Sequence, residues 1–372
     1  MKIFIVGYEH PYIDKRTFKS AANLSKTGEV YYQYYGKFNG EKLPNIKTIE
    51  FEKLERSSNI IHWIKKWKKF DEILLSEILK VDPDIVYFHY LPFTGAKMFK
   101  KLKDLNKKII FEIHEIIPEQ FMMRYLSKYS FFKKIIKKKL WKEFLDAIII
   151  SDGIIAISED ILNYIFDLEN INKKYLILPN LALKSINSTK KNKEIILVGK
   201  DDRKLYNEKK IILKLIENGF HFKVIGINPS NFTDIPHTYI KPLPYFEMLQ
   251  EVSKSLFSLI SYANTKEGGF LNYKYSLPNK FFDSLAADTP VIVKEDFVSM
   301  ARIVKELNIG VIINPKNTEE SVKKIIEAHE NYEELINNIR KHKNKFIWNE
   351  KIDMKFVEFI KEISEVNKWN FL

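Results

Sequence analysis

The sequence predicts an α/β protein made of two doubly wound, parallel-sheet domains. Short runs of β-branched and aromatic residues alternate with longer segments of helical periodicity, which is the pattern of βαβ units on a parallel sheet. The 372 residues suffice for two domains of ordinary size. Asn180–Lys193 is polar, rich in Lys, Asn and Ser, and without apolar periodicity, so we interpret it as an interdomain linker.

The strand candidates are short apolar runs bounded by turn residues. In the first half they are Lys2–Gly7, Glu29–Tyr35, Asp84–Tyr90, Lys108–Ile113, Gly153–Ser158 and Tyr175–Leu178. In the second half they are Glu194–Gly199, Phe222–Gly226, Leu256–Tyr262, Thr289–Val293 and Gly310–Ile313. We therefore expect an N-terminal domain over residues 1–183, a C-terminal domain over residues 184–345, and a final helical segment over residues 346–372.

The composition restricts the class of protein and its partners. The formal net charge of +13 favours an anionic partner, which could be a nucleic acid, an anionic lipid or a nucleotide-linked substrate. The lack of cysteine removes disulfides and thiolate metal sites and fits a reducing compartment. Met1–Gly7 already reads as a buried strand, and no segment reaches about 18 uninterrupted apolar residues. We therefore expect a cytoplasmic protein.

The most informative segment is Tyr273–Val293, which reads as a turn, a short helix and an apolar strand. The N-terminus of such a helix offers N–H groups and the positive end of its dipole to a phosphate. Lys280 lies in the first turn, where the dipole disfavours a cation unless an anion lies between them. Asp283 follows about one turn later, and an ammonium with a carboxylate suits the diphosphate and ribose of a nucleotide. An ordinary N-capped surface helix is the alternative, which explains Asn279 but not Lys280.

Residues 276–292, Ser-Leu-Pro-Asn-Lys-Phe-Phe-Asp-Ser-Leu-Ala-Ala-Asp-Thr-Pro-Val-Ile, resemble the donor-site motif of GT-B glycosyltransferases in the branch around retaining family four. The resemblance implies two Rossmann-like domains that face a central cleft, with a C-terminal helix that crosses back to the N-terminal domain; packing of that helix on its own domain is the alternative. It also implies transfer of a sugar from a nucleotide-sugar donor, with retention at the anomeric carbon. The motif residues that it assigns to donor binding are Ser276, Leu277, Asn279, Lys280 and Asp283.

A second pattern lies at the end of the strand Lys108–Ile113. The residues from Glu112 onward read Glu-Ile-His-Glu-Ile-Ile-Pro and resemble the family's strand-end pattern Asp-x-His-Glu-x-x-Pro. The resemblance implies that His114 is the main contact of the N-terminal domain to the transferred sugar, so His114 and Glu115 are our candidate catalytic residues. The alternative is a buried core histidine, which is the usual place of a lone histidine on an apolar strand.

The loop after the first strand, His10–Arg16, should face the cleft of a doubly wound domain. It resembles the Asp-x-Arg start of many family-four-like transferases, so we assign His10, Tyr12 and Arg16 to the acceptor side. An ordinary solvated loop is the alternative. If the enzyme inverted the anomeric configuration instead, His10, His114 or Glu115 would be the candidate base.

Further donor contacts are expected in two loops of the second half. Family members often carry Gly-Arg and then Lys-Gly after the strand that ends at Gly199, and Lys200 matches the first cation. The second cation cannot be placed, because Arg203, Lys204, Lys209 and Lys210 are all available; we retain Arg203 and Lys204. Gly268 and Gly269 have a permissive backbone that could approach the donor or simply form a plain loop.

We expect neither a metal nor a cofactor, with the nucleotide sugar as a substrate. Basic groups can neutralise the leaving diphosphate, and no Asp-x-Asp element stands where a metal-dependent glycosyltransferase would need one. The sequence also lacks a Gly-x-Gly-x-x-Gly or Walker loop. In many relatives a first carboxylate lies eight residues before the second, but Tyr275 stands in that place here.

Residues 60–74 and 131–141 read as basic amphipathic helices with Trp, the type that lies on anionic membranes. Membrane contact would favour a lipid-linked acceptor, such as one used for bacterial surface polysaccharide, and a place at the inner face of the cell membrane. The alternative is that the apolar sides pack on the N-terminal domain and the lysines are merely solvated.

Two other functions compete with a glycosyltransferase. One is a nucleotide-sugar 2-epimerase of GT-B architecture, which the Lys-Phe-Phe-Asp helix does not favour. The other is a basic nucleic-acid-binding protein, which would present an Arg-rich face with stacking aromatics. Because the aromatics of this chain lie mainly in strand-like and amphipathic segments, we expect no nucleic-acid partner.

Overall fold

The computed structural model describes residues 1–38, 40, 43, 45–55, 59–120, 130–187, 190–200, 205, 208–261 and 270–365. The chain divides into two compact units, each built on one parallel sheet. Unit 1 contains Met1–Leu178 and the last described helix, and unit 2 is Pro179–Asn349. The predicted class, two doubly wound α/β domains, is confirmed.

Unit 1 has seven parallel strands among its described residues. They are β1 (Lys2–Val6), β2 (Glu29–Tyr35), β3 (Ile46–Phe51), β4 (Ile85–Phe88), β5 (Lys108–Ile113), β6 (Gly153–Ala156) and β7 (Tyr175–Ile177), in the spatial order β3-β2-β1-β4-β5-β6-β7. The helices are α1 (Lys15–Leu24), α2 (Ile60–Val81), α3 (Ala96–Asp104), α4 (Ser130–Ile150) and α5 (Glu159–Glu169). The spatial order of the strands changes direction between β1 and β4. The carboxyl ends of β1, β4 and β5 therefore form the edge where such sheets bind ligands.

Unit 2 has six parallel strands in its described part. They are β8 (Asn192–Val198), β9 (His221–Ile225), β10 (Thr238–Ile240), β11 (Ser255–Leu259), β12 (Val291–Lys294) and β13 (Gly310–Ile313), in the order β10-β9-β8-β11-β12-β13. The helices are α6 (Lys209–Glu217), α7 (Tyr245–Ser253), α8 (Phe270–Tyr275), α9 (Asn279–Ala286), α10 (Val298–Leu307), α11 (Thr318–Glu330) and α12 (Tyr332–His342), with short 3-10 turns at Pro229–Phe232 and Lys343–Lys345. The order of this sheet reverses beside β8, so the ends of β8 and β11 form its ligand edge.

The last described helix, α13 (Glu350–Glu365), packs on unit 1. Phe356 is buried, and its ring centroid lies 6.1 Å from that of Tyr87. A side chain added at Gly153 in β6 would meet Ile363 at 2.9 Å, so the glycine allows close approach of α13 to the sheet. The final helix thus returns to the N-terminal unit, as the family resemblance implied.

All of the predicted strands are present, within a few residues of the expected bounds. Two of the described strands, β3 and β10, were not predicted from the sequence, and each forms one edge of its sheet. An edge strand pairs on one side only and tolerates polar residues, so its sequence carries a weak apolar signal. β3 fits this description, since it has Lys47, Thr48 and Glu50 among its six residues, whereas β10 has only three residues.

The apolar side of α2, for which membrane contact and core packing were both open, packs largely within unit 1. Trp67, Phe70 and Leu74 are buried, and the ring of Phe70 lies 4.8 Å from that of Phe51. This is the core packing that we had kept as the alternative.

In the second basic stretch, the described side chains begin at residue 134. Ile135 is exposed among lysines, whereas Trp141 packs against Phe144 and Tyr164. Among the described residues, none of the helices is both long enough and apolar enough to cross a bilayer.

Candidate active site

In unit 2, the helix of the donor-like motif begins without a side-chain cap. Pro278 occupies the N-cap position in an extended conformation, with φ −76° and ψ 156°, and makes no capping hydrogen bond. Asn279, which we expected to precede the helix, is its first residue and is exposed. A helix N-terminus whose N-cap residue makes no side-chain hydrogen bond keeps its attraction for an anion.

Lys280 extends from the first turn of α9 to the end of β8. Its Nζ donates a hydrogen bond to the carbonyl oxygen of Val198, the last residue of β8, at 3.0 Å. Lys200 follows Val198 closely in the chain and is exposed. The ammonium of Lys280 and the segment that carries Lys200 therefore meet at the ligand edge of unit 2, where positive charge favours a diphosphate.

Asp283 lies one turn further along α9, with a side chain that is almost fully buried. Its Oδ1 accepts a hydrogen bond of 2.7 Å from the hydroxyl of Tyr245, which itself accepts one of 3.0 Å from the backbone N–H of Leu183. Burial and the neighbouring carboxylate raise the pKa of Tyr245, so this side chain remains a donor. Tyr245 thus orients the carboxylate, and nothing in the sequence motif had pointed to it.

The other donor residues predicted in unit 2 have different surroundings. Leu277 is buried, and its carbonyl oxygen accepts a hydrogen bond of 3.0 Å from Asn180 Nδ2, so its side chain belongs to the interior. Ser276 is half-buried. Lys209, one of the alternatives for the second cation, pairs with Asp234. The predicted residues Arg203, Lys204, Gly268 and Gly269 lie outside the described residues.

A buried ion pair that the sequence analysis missed lies at the ends of β11 and β12. Lys294, the last residue of β12, has its Nζ 3.6 Å from Glu208 Oε1, and both side chains are 2% exposed. The same carboxylate oxygen accepts a hydrogen bond of 2.6 Å from Ser261 Oγ. A lysine at the end of the apolar run Pro-Val-Ile-Val was the available signal.

Three histidines gather at the ligand edge of unit 1. His114 follows β5, His89 follows β4 and His10 follows β1. The ring of His114 lies 5.8 Å from that of His89 and 5.9 Å from that of His10, measured between centroids. The structure thus brings together the predicted residues His10 and His114 and adds His89. Glu115, the other catalytic candidate, is exposed beside His114.

The carboxylate of Glu112 lies beneath these histidines and is completely buried. Oε1 accepts from Arg16 Nε at 2.5 Å, and Oε2 accepts from the hydroxyl of Tyr87. His114 Nε2 lies 3.2 Å from Oε1, and His89 Nδ1 lies 3.1 Å from Oε2. Neither imidazole contact has the geometry of a formed hydrogen bond, so the attraction is mainly one of charge and dipole.

These contacts determine which groups carry charge. Burial alone would raise the pKa of Glu112, but Arg16 and the two histidines outweigh it and bring the pKa to about 2. Burial lowers the pKa of His89 to about 3 and that of His114 to about 4, against the opposite effect of Glu112. At neutral pH, Glu112 is therefore ionised and both imidazoles are neutral.

Two residues predicted for the acceptor side lie in the interior of unit 1. Arg16 is buried, and besides Glu112 it binds the carbonyl oxygen of Leu178 through Nη2 at 2.6 Å. Tyr12 is fully buried in an aromatic cluster, with its ring 4.5 Å from that of Phe38. We had expected side chains that face the cleft, with a solvated loop as the alternative, but both of these side chains fold inward; His10 is half-buried.

His89, Glu112 and His114 are also close enough to hold a metal ion, since their ligand atoms lie within 4.8 Å of one another. Two neutral imidazoles and a carboxylate are ordinary zinc ligands. However, the guanidinium of Arg16 already lies against the same carboxylate, and a dication would meet this fixed positive charge. The arrangement fits a buried polar network better than a metal centre.

Comparison with solved structures identifies the architecture. A sucrose-phosphate synthase from Thermosynechococcus elongatus is similar with a TM-score of 0.72 and 12% identity, over 98% of this chain and all of the matched chain. The chain has the GT-B fold of glycosyltransferases. The E. coli trehalose-6-phosphate protein bound with UDP-2-fluoro glucose matches with a TM-score of 0.63 and 12% identity, over 98% of this chain and 99% of the other. WaaG, a glycosyltransferase involved in lipopolysaccharide biosynthesis, matches with a TM-score of 0.62 and 10% identity, over 99% of this chain and 100% of the matched chain.

Sequence comparison adds evidence for unit 2. Residues 198–349 match the family model of the glucosyltransferase 3-like C-terminal domain, a range that begins at the end of β8 and includes Lys280 and Asp283. No curated protein matches the chain by sequence. The comparisons give no support to the 2-epimerase alternative, since the family model and these structures concern sugar transfer.

Proposed function

We propose that this protein is a glycosyltransferase that moves a sugar from a nucleotide-sugar donor to a hydroxyl of a glycan or lipid-linked acceptor. The observation that carries the proposal is the contact of Lys280 with the end of β8, beside the uncapped N-terminus of α9. It lies within the range that matches a glucosyltransferase-like domain. An ammonium and a helix N-terminus at the ligand edge of a parallel sheet suit the diphosphate of such a donor.

On the donor side, positive charge stabilises the leaving group. The bond to the sugar breaks as negative charge develops on the diphosphate, and preorganised cations and N–H dipoles lower that barrier. Lys280 and Lys200 supply the cations among the described residues, and Asp283, held by Tyr245, suits the ribose hydroxyls. These groups support transfer without a metal ion. A UDP-linked donor is supported by the UDP sugar bound to the E. coli neighbour.

On the sugar side, His114 is the group of unit 1 that we assign to the transferred sugar. Its ring is partly exposed at the ligand edge, and its imidazole is neutral at neutral pH because burial lowers its pKa to about 4. So weak a base is poorly suited to take a proton from an attacking hydroxyl. This favours retention of the anomeric configuration over inversion with His114 as the base.

We assign the acceptor to the synthesis of bacterial surface polysaccharide or glycolipid. The neighbour WaaG acts in lipopolysaccharide biosynthesis, which supports an acceptor of bacterial surface polysaccharide or glycolipid synthesis. The half of the basic helix α4 that begins at residue 134 exposes Ile135 among lysines, which suits contact with anionic lipid.

The first test is binding of UDP, GDP and a single-stranded oligonucleotide, measured by calorimetry on the wild type, Lys280→Ala and Lys323→Ala. Lys323 is exposed on α11 and gives the same change in net charge far along the sequence from the motif. We expect one nucleoside diphosphate to bind the wild type and Lys323→Ala with equal affinity, and Lys280→Ala at least tenfold more weakly. Preferential binding of the oligonucleotide, or equal binding by all three proteins, would refute the proposal.

The second test is transfer itself. The preferred nucleotide sugar is incubated with the protein and with a membrane extract as a source of acceptors, and release of the nucleoside diphosphate is followed with and without EDTA. The proposal expects release that depends on acceptor and is insensitive to EDTA. Nuclear magnetic resonance of the product would then show the same anomeric configuration as the donor.

A further inference from the structure

The carboxylate of Glu112 lies between two histidines and contacts each with a different oxygen. His114 Nε2 is 3.2 Å from Oε1, and His89 Nδ1 is 3.1 Å from Oε2. Both nitrogens are buried and have no hydrogen-bond partner in the described part of the chain, so the anionic oxygen is the nearest charge to each. An unprotonated nitrogen would place its lone pair close to this anion, which is repulsive, whereas an N–H dipole at the same distance is attracted. Each of these two nitrogens must therefore carry the proton of its ring.

We infer that Glu112 is a positioning residue that fixes His114 and His89 in opposite tautomers, so that His114 offers its ligand only an unprotonated Nδ1. His114 holds its proton on Nε2, and His89 holds its proton on Nδ1. The inference deepens the proposed function and rests on it only for the identity of the ligand as a sugar.

The surroundings of Glu112 make it suited to this role. Arg16 Nε and the Tyr87 hydroxyl bind its two oxygens from other sides, so the carboxylate is held in position and stays ionised. Because the side chain of Glu112 is fully buried, water does not screen its charge. A fixed, unscreened anion can select one tautomer in each neighbouring imidazole.

The consequence for recognition is a restriction on the ligand group. A neutral imidazole whose only outward function is a lone pair accepts a hydrogen bond and cannot donate one. It therefore binds a hydroxyl and is unsuited to a phosphate or carboxylate oxygen. His114 would in this way select the hydroxyl-bearing part of a substrate at the ligand edge of unit 1.

The test is the long-range proton–nitrogen spectrum of uniformly 15N-labelled protein at pH 7, in which the two tautomers give different patterns. The chain has eight histidines, and the variants His89→Gln and His114→Gln assign the two of interest. We expect the Nδ1–H form for His89 and the Nε2–H form for His114. The same tautomer for both, or an imidazolium at either residue, would overturn the inference. Inorganic phosphate should leave the His114 nitrogen shifts unchanged, and protonation of His114 on its addition would contradict the restriction to hydroxyl ligands.

Variants test the role of the carboxylate itself. Glu112→Gln should abolish the preference of His89 for Nδ1–H, because the charge that enforces it is gone. Tyr87→Phe also removes a donor to Glu112 but leaves the charge, so both tautomers should persist. If Glu112→Gln fails to fold, the wild-type tautomers and Tyr87→Phe still decide the matter. Unchanged tautomers in folded Glu112→Gln would refute the role.

Activity provides a second, separate readout. With the substrate found for the wild type, kcat/KM should fall at least tenfold in Glu112→Gln and be largely restored in Glu112→Asp, which keeps the charge. A Glu112→Asp variant as impaired as Glu112→Gln would count against positioning by charge. If the wild type transfers no sugar from any donor while the opposite tautomers are observed, the proposed function fails and the positioning of the histidines stands.

Discussion

The ammonium of Lys280 lies 3.0 Å from the carbonyl oxygen of Val198, which ties the first turn of α9 to the end of β8. A cation near a helix N-terminus is repelled by the helix dipole, and a single carbonyl oxygen compensates this only in part. The arrangement becomes favourable when an anion lies near both groups. This is the physical reason to regard the contact as part of a binding site rather than as a structural bond.

Removal of this ammonium should weaken binding of the nucleoside diphosphate. A charge-assisted hydrogen bond is worth about 1.5–3 kcal/mol, so Lys280→Ala should raise the dissociation constant by roughly 10- to 150-fold. The loss should shrink at high salt because the interaction is between charges. Calorimetric titrations at low and high salt measure both effects. An affinity loss that is the same at both salt concentrations would show that Lys280 acts by packing and not by charge.

The hydrogen bond between Tyr245 and Asp283 should contribute to both stability and binding. Tyr245→Phe removes a donor to a nearly buried carboxylate, which should lower the free energy of unfolding of unit 2 by about 1–3 kcal/mol. Urea unfolding measures this change. Tyr239→Phe is a matched control, since Tyr239 is exposed on the edge strand β10 and the same atom is removed. Equal stability of the two variants would contradict the prediction.

Regular features of the sequence were enough to predict the fold. The central strands β1, β4, β5, β11 and β12 are buried on both faces, so their sequences are largely apolar. The edge strand β3 was missed because pairing on one side allows polar residues, and β10 was missed because it has only three residues. The start of α9 was misplaced by one residue, because Asn279 resembles an N-cap but Pro278 takes that position.

The candidate site was only partly predictable. His114 and Lys280 stood out because a polar residue at the end of an apolar strand, or in the first turn of a helix, needs a specific reason. Tyr245 and His89 did not stand out, since their partners Asp283 and Glu112 are distant in sequence and only the tertiary fold brings them together. Arg16 was predicted as a site residue, on the acceptor side. Its burial against Glu112 depends on the position of that residue in β5, which the residues next to Arg16 in the sequence do not reveal.

Removing one charge of the buried pair Lys294–Glu208 should lower the free energy of unfolding more than removing both charges together. Glu208→Gln or Lys294→Met alone removes one charge of the pair and leaves the other buried without this contact, and each should lower the free energy of unfolding by about 3–5 kcal/mol. The double variant removes both charges and should be less destabilised than the sum of the two single variants. A double-mutant cycle in urea measures the coupling. Additive losses would show that the two charges do not interact in the folded protein.

Unit 1 should lose stability as the pH falls below neutral, because His89 and His114 are held neutral. Their pKa values are lowered by burial to about 3 and about 4, against about 6.5 in the unfolded chain. Well above pH 6.5 neither the folded nor the unfolded state binds a second proton at these rings, so stability is full. Below it the unfolded chain takes up protons that the folded protein does not, and stability falls by about 1.4 kcal/mol per pH unit for each histidine.

Hydrogen exchange of β4 and β5, corrected for the intrinsic dependence of exchange on pH, measures this acid sensitivity between pH 7.5 and 5. His89→Leu should flatten the pH dependence, since one of the two rings no longer titrates in the unfolded chain. His62→Leu is the control, because His62 is exposed on α2 and its replacement should leave the slope unchanged. Equal slopes in the wild type and His89→Leu would mean that His89 is not held neutral by its burial, and the charge assignment around Glu112 would then have to be revised.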